Sequence, residues 1–179
     1  MVATLDPRVD AVIAFAPTSV VWANIGPGLD GMDRPLRSSW TWRGEPLAFV
    51  PYDTDWEAPP GDAPAFRTLY EQSLARFASD AADATIAVER MRAQVVAVAG
   101  ADDQVWPSDR FAAEIAHRMT DHGRDVTVLI GPDAGHRVVL PGEERVSGGQ
   151  PMARGGNREA DAALGERAWP VLVETLGLR

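Results

Sequence analysis

Two short stretches of this chain carry residue types able to move a proton. In "GADDQVWP", an aspartate, Asp103, stands just beyond an apolar run that ends at Gly100. In "GPDAGH", a histidine, His136, stands just beyond a second apolar run, "VTVLI". An aspartate that accepts the Nδ1–H of an imidazole fixes its tautomer and leaves Nε2 free to take a proton from a nucleophile. An acid followed by a histidine is also the chain order of the last two members of the α/β-hydrolase triad. Each residue has a plainer use. Asp103 could cap the helix that begins near Pro107, and a histidine after a strand could be structural. Asp102 is the rival acid, but its neighbour Asp103 is the better placed to point inward. His117 falls within a helix and His122 in its last turn, where an imidazolium favours the helix dipole. Neither is assigned a catalytic role. No histidine and carboxylate cluster has metal-ligand spacing.

These two motifs need elements to hold them. "VDAVIAFAP", "QVVAVAG" at 94–100 and "VTVLI" at 126–130 are short apolar runs of the kind found in buried parallel strands. Between them, Pro64 opens a segment with Phe66, Leu69, Tyr70, Leu74 and Phe77 at helical spacing. "PSDRFAAEIAHRMTDHG" reads as a helix with Pro107 in its first turn, Phe111, Ile115 and Met119 along one face, and Gly123 at its end. Asn157 is placed to cap a final helix running toward Leu176, with Pro170 expected to kink or split it. The alternation predicts an α/β fold with a parallel sheet flanked by helices. In such sheets catalytic groups lie beyond the carboxyl ends of the strands, and the end loops of strands ~5 Å apart can touch. The Gly-, Pro- and Trp-rich residues 18–62 read as an excursion from the sheet, a lid or binding loop. A short ribbon is expected around Trp40 and Trp42. The whole of 1–179 reads as a single, partial domain.

Composition narrows the function. Hydrophobic residues make up 45 % and charged residues 24 % of 179, ordinary for a soluble globular protein. The net charge of −9 argues against nucleic acid or an anionic membrane as partner, since both need a basic surface. The absence of cysteine removes disulfides, thiolate metal sites and a cysteine nucleophile from these residues. No cofactor is implied. With no apolar run long enough for a membrane span and no signal-peptide pattern in "MVATLDPRVD", a cytoplasmic location is expected.

The nucleophile is the piece without a candidate. No G-x-S-x-G elbow occurs. Ser147 sits beside glycines but follows the histidine, and Ser19 leaves a strand without elbow glycines. Ser38, Ser39, Ser73, Ser79 and Ser108 read as loop, helix-surface or cap residues. An elbow is followed by a helix of ~12 residues and a turn before the next strand, so an elbow feeding the strand near Val9 is expected upstream of Met1. "MVATLDPR" then reads as the end of that helix and its turn. The chain is expected to be N-terminally truncated, without its oxyanion hole. A sheet lacking its first strands exposes an edge, through which self-association is expected.

At this point a resemblance enters. "DPRVDAVIAFAPTSVVW", "SSWTWRGEPLAFVP", "IAVERMRAQVVAVAGADDQVWPSDRFAAEIAHRM", "GPDAGHRVVLPG" and a late "GGQP" together resemble the C-terminal catalytic domain of acyl-CoA thioesterases and bile acid-CoA:amino acid N-acyltransferase, a dienelactone-hydrolase-like group. The resemblance covers nearly the whole chain. It implies an α/β-hydrolase fold and a Ser or Cys, Asp, His triad acting on an acyl-CoA thioester. The family's acid matches Asp103 and its histidine matches His136. The nucleophile, and the N-terminal β-sandwich of many members, have no matching position. Residues 18–62 would then contact the acyl chain; equally, Trp40, Trp42 and Trp56 could cover the sheet edge. The alternatives to an acyl-CoA hydrolase or acyltransferase are a non-catalytic remnant and one half of a split hydrolase completed by a partner chain.

Overall fold

A computed structural model describes residues 1–26, 31, 35–61, 63–145 and 148–178. The chain opens with one short helical turn, α1 (Val2–Leu5), and then enters the sheet as β1 (Ala11–Phe15). Two small antiparallel ribbons follow: β2 (Ala23–Ile25) pairs with β3 (Leu36–Ser38), and β4 (Thr41–Trp42) with β5 (Glu45–Pro46). Helices α2 (Arg67–Arg76) and α3 (Ala78–Asp83) and a 3-10 turn at Val88–Arg90 lead to β6 (Gln94–Gly100). Then come α4 (Ser108–Asp121), β7 (Thr127–Gly131) and α5 (Arg158–Thr175). The main sheet has the order β1-β6-β7, all parallel. The fold is therefore α/β.

The central strand shows why the sequence folds this way. β6 is a run of β-branched and small residues, buried from Val95 to Gly100. Side chains alternate across a strand. On one face Val96 and Val98 pack with Ala134 and with Leu164, Ala168 and Leu172 of α5. On the other, Ala97 and Ala99 meet Ala112 of α4, small residues that let the helix lie close. Phe111, Ile115 and Met119 form the buried stripe of α4 that the spacing predicts. Each fully buried side chain of this size contributes roughly 1.5–3 kcal/mol relative to exposure.

Four expectations change. β1 is half-buried rather than buried on both faces, with Phe15 40 % exposed. Among the described residues it pairs only with β6, so one edge has no neighbour. The helix expected from Pro64 to Phe77 begins at Arg67 and breaks at Phe77 (φ −111°, ψ 46°), after which α3 starts. Pro107 precedes α4 rather than lying in its first turn. Pro170 does not split the last helix, because it lies on the exposed face, where water can take the carbonyl that its missing N–H leaves unbonded. Asn157 caps that helix as the sequence predicts, its side-chain oxygen accepting from Glu159 N and Ala160 N.

The excursion, some of whose positions lie outside the described residues, is anchored rather than loose. Trp22 is buried, stacked on Tyr52 at 5.8 Å and edge-on to Tyr70 at 4.7 Å. Val50 beside it is fully buried. The ribbon at Trp40 and Trp42 is present, closed by a turn at Arg43 and Gly44, both at positive φ (54° and 87°), the geometry of a type I′ hairpin. Trp40 and Trp42 stay about half exposed, at 49 % and 44 %.

A pH-sensitive clasp joins α4 to the 3-10 turn. The Arg118 guanidinium grips the Glu89 carboxylate with two hydrogen bonds, one of them 3.0 Å, and holds its carboxyl down at about 2 from an ordinary 4.5. A depressed folded-state value means stability present above 4.5 and lost as the pH falls toward 2. Urea titrations of the wild type and Glu89→Gln are expected to show a stability gap that is constant near neutrality and closes across that window. A gap independent of pH would contradict it.

Candidate active site

The parallel register brings two strand ends together. Gly100 of β6 is the partner of Gly131 of β7. The chain leaves β6 toward Asp103 and leaves β7 toward His136, so both turns leave the same end of the sheet. They touch closely. A Cβ on Gly100 would lie 2.2 Å from the carbonyl oxygen of Ala134, so only glycine lets the histidine turn settle on the end of β6.

Asp103 is fully buried. Its Oδ1 accepts from the N–H of Val105 at 2.9 Å and of Trp106 at 3.2 Å. Its Oδ2 lies 3.0 Å from His136 Nδ1. Asp103 does not cap α4, which has no side-chain cap; its Oδ1 closes the turn ahead of that helix, and the same bonds aim its second oxygen at the imidazole. A carboxylate oxygen only accepts, so Nδ1 is the donor in this contact, and in the neutral ring Nε2 then presents a lone pair. The His136 side chain is 24 % exposed, and among the described residues Nε2 has no hydrogen-bond partner. Trp106 meets the ring edge-on at 5.4 Å and donates its indole N–H to Ala16 O at 3.1 Å. One indole therefore props the imidazole against the end of β1.

The other candidates go elsewhere. Asp102 is exposed, and its carboxylate accepts from Gln104 Nε2 and Gly156 N, both at 2.8 Å. His117 pairs with Asp121 on the helix surface, and His122 Nδ1 lies 2.8 Å from Arg118 O. Ser19 donates to Glu114 at 2.6 Å, Ser38 to Trp40 O, Ser73 to Leu69 O and Ser108 to Gly100 O. Among the described residues no serine or threonine is hydrogen-bonded to the His136 ring; Ser147 lies outside them.

Arg67, which the sequence does not single out, ties the acid turn to α2. Its guanidinium donates to Asp103 O at 3.1 Å and to Asp109 at 3.0 Å, and its backbone N–H donates to Gln104 O. Only the fold reveals this, because an arginine at a helix start has many uses.

Beside Trp106 opens a cavity of about 870 Å³, mostly apolar, lined there by Phe66, Leu69, Tyr70, Trp22 and Met152. Burial, with Tyr52 and Asp103 nearby, raises the Tyr70 hydroxyl well above the usual phenol range, so it remains a neutral donor at ordinary pH. Among the described residues no helix is long and apolar enough to cross a membrane.

Asp103→Ala leaves the buried Val105 N–H, the part-buried Trp106 N–H and Nδ1 without an acceptor, an expected loss of ~1–3 kcal/mol for such groups. Asp102→Ala, where water can replace the carboxylate, is expected to cost less. Urea midpoints of the two variants decide the matter, and an equal or larger loss for Asp102→Ala would refute the assignment of Asp103 as the buried anchor.

The family described as BAAT / Acyl-CoA thioester hydrolase C terminal matches residues 68–177. A search of curated proteins finds no match. The matched stretch is more than half of the chain and runs through β6, α4, β7 and nearly all the residues that hold Asp103 and His136. The chain therefore belongs to the BAAT / acyl-CoA thioester hydrolase C-terminal family.

Proposed function

We propose that Asp103 and His136 are the acid and the general base of an acyl-transfer centre that acts on acyl-CoA thioesters. The observation that carries this reading is the 3.0 Å contact between Asp103 Oδ2 and His136 Nδ1, with Nε2 open to the surroundings. Family membership supplies the substrate class. In this mechanism Nε2 takes the proton of a serine or cysteine nucleophile as it attacks the thioester carbonyl. The tetrahedral adduct collapses, the C–S bond breaks, and the imidazolium returns its proton to the coenzyme A thiol. Water, or an amine in an acyltransferase, then adds to the acyl-enzyme with His136 again as base, and the nucleophile regains its proton. Asp103 stabilises the imidazolium at each stage. The apolar cavity beside Trp106 would take the acyl chain, with Tyr70 and Phe66 in contact. A cytoplasmic setting and the reading of 1–179 as one partial domain belong to the same proposal.

The nucleophile in this account comes from outside the described residues. The unpaired edge of β1 favours a complementing strand from further polypeptide or a partner chain, and leaves that edge open to self-association when 1–179 is alone. Residues 1–179 alone are then expected to sediment as concentration-dependent oligomers. A monomer at all concentrations would remove that form of the proposal.

Acyl-CoA turnover tests the chemistry. Residues 1–179 alone are expected to show no hydrolysis above background. The same residues supplied with the polypeptide that carries the nucleophile, in one chain or as a partner, are expected to turn over acyl-CoA and to lose ~10²–10⁴-fold on His136→Ala, the usual contribution of a general base. Strong activity of 1–179 alone that Ser147→Ala abolishes would place the nucleophile on that serine. Turnover unaffected by His136→Ala would end the proposal.

A further inference from the structure

We infer that the strap Arg154–Gly156, together with Asp161, positions the Asp103–His136 pair; this rests on the acid–base reading above. One carbonyl oxygen bridges the two catalytic turns. Arg154 O accepts from His136 N at 2.8 Å and from Gln104 N at 3.4 Å. The base turn and the acid turn thus hang from the same atom. The next residues close the clamp on both sides. Gly156 N donates to Asp102 Oδ2 at 2.8 Å, and Gly135 N, next to His136, donates to Asp161 Oδ1 at 2.8 Å. Ala153 N donates to Pro64 O, fastening the strap to the segment ahead of α2.

Two features make this more than a covering loop. First, Gly155 and Gly156 both adopt the left-handed conformation, with φ of 66° and 65°. They also lie closer to the two turns than any side chain permits. A Cβ on Gly155 would fall 1.6 Å from Asp102 O. One on Gly156 would fall 2.2 Å from Gly135 N and 2.4 Å from Asp161 Oδ1. These neighbours are mostly backbone, which does not swing aside, so an added methyl must displace the histidine turn or the acid turn.

Second, Asp161 is a carboxylate with 1 % exposure, although it sits in the first turn of a helix already capped by Asn157. The helix does not need a second cap. Burying a carboxylate is costly unless it is bonded; its Oδ1 accepts from the Gly135 amide, while its Oδ2 has an ion-pair contact of 3.2 Å with Arg145 and no hydrogen bond among the described residues. Its place is explained by the turn that carries His136. The tolerance for error is small, since a Nδ1 contact of 3.0 Å weakens steeply as either turn shifts.

The readout is the Nδ1 proton of His136, followed by NMR as a downfield resonance with its own rate of exchange with solvent, in residues 1–179. Asp103→Asn is expected to abolish that resonance. Gly156→Ala and Asp161→Ala are expected to keep Asp103 in place yet speed its exchange by about tenfold or more, as local opening becomes easier. Asp161→Asn, which retains an acceptor for Gly135 N, is expected to restore most of the protection. The resonances of His117 and His122 serve as controls. So does Gly123→Ala, which imposes the same positive-φ strain (67°) where a Cβ meets nothing within 4 Å, and which should leave the His136 proton unchanged. If Gly156→Ala fails to fold, the Asp161 pair decides alone. A resonance lost in Asp103→Asn but exchanging at the wild-type rate in Gly156→Ala and Asp161→Ala would overturn the strap and leave the pair standing. A resonance untouched by Asp103→Asn would bring down the pair, and the strap with it.

Discussion

The contact on which everything else depends is the one between Asp103 Oδ2 and His136 Nδ1. It joins two turns that are far apart along the chain and are made neighbours only by the parallel pairing of β6 with β7. The acid is fixed by spending Oδ1 on two amides of its own turn. The base is fixed by its backbone N–H on the strap and by the Trp106 ring at its edge. Buried polar networks of this kind hold a geometry only when each member is satisfied, since an unpaired group in a low-dielectric site costs about as much as a bond contributes.

The pair is therefore built from the rest of the fold rather than added to it. Ala97 and Ala99 of β6 let α4 lie close on one face of the sheet, while Val96 and Val98 pack against α5 on the other. Gly100 lets the histidine turn rest on the strand end, and α5 carries Asp161 up to the same turn. Arg67 does for the acid turn what Asp161 does for the base turn, binding its backbone from a neighbouring helix. The result is an imidazole held on its Nδ1 side and along one edge, with Nε2 left available. That asymmetry is what a general base requires.

Much of this was legible in the sequence, for identifiable reasons. The strands β6 and β7 and the helices α4 and α5 are encoded by local patterns: continuous apolar runs, a buried stripe at helical spacing, and an asparagine cap. Asp103 and His136 follow from those patterns, because they stand where strand ends must meet. The parts that were not legible depend on distant partners. The half-burial of β1 reflects which strands pair with it. The continuity of the helix through Pro170 depends on which face meets solvent. Arg67, Asp161 and the Arg154 carbonyl act through backbone atoms of other segments, a function that residue type does not announce. Gly155 and Gly156 gave the nearest thing to a signal, a glycine pair just before a capped helix, but glycine pairs are common in turns.

The central claim concerns one proton. Nitrogen-15 NMR of the imidazole reports directly which ring nitrogen bears it in the neutral side chain. The account predicts His136 with Nδ1 protonated and Nε2 bare, bonded through Nδ1–H to Asp103. Finding Nε2 protonated and Nδ1 bare, or a ring exchanging freely between the two tautomers, would contradict it.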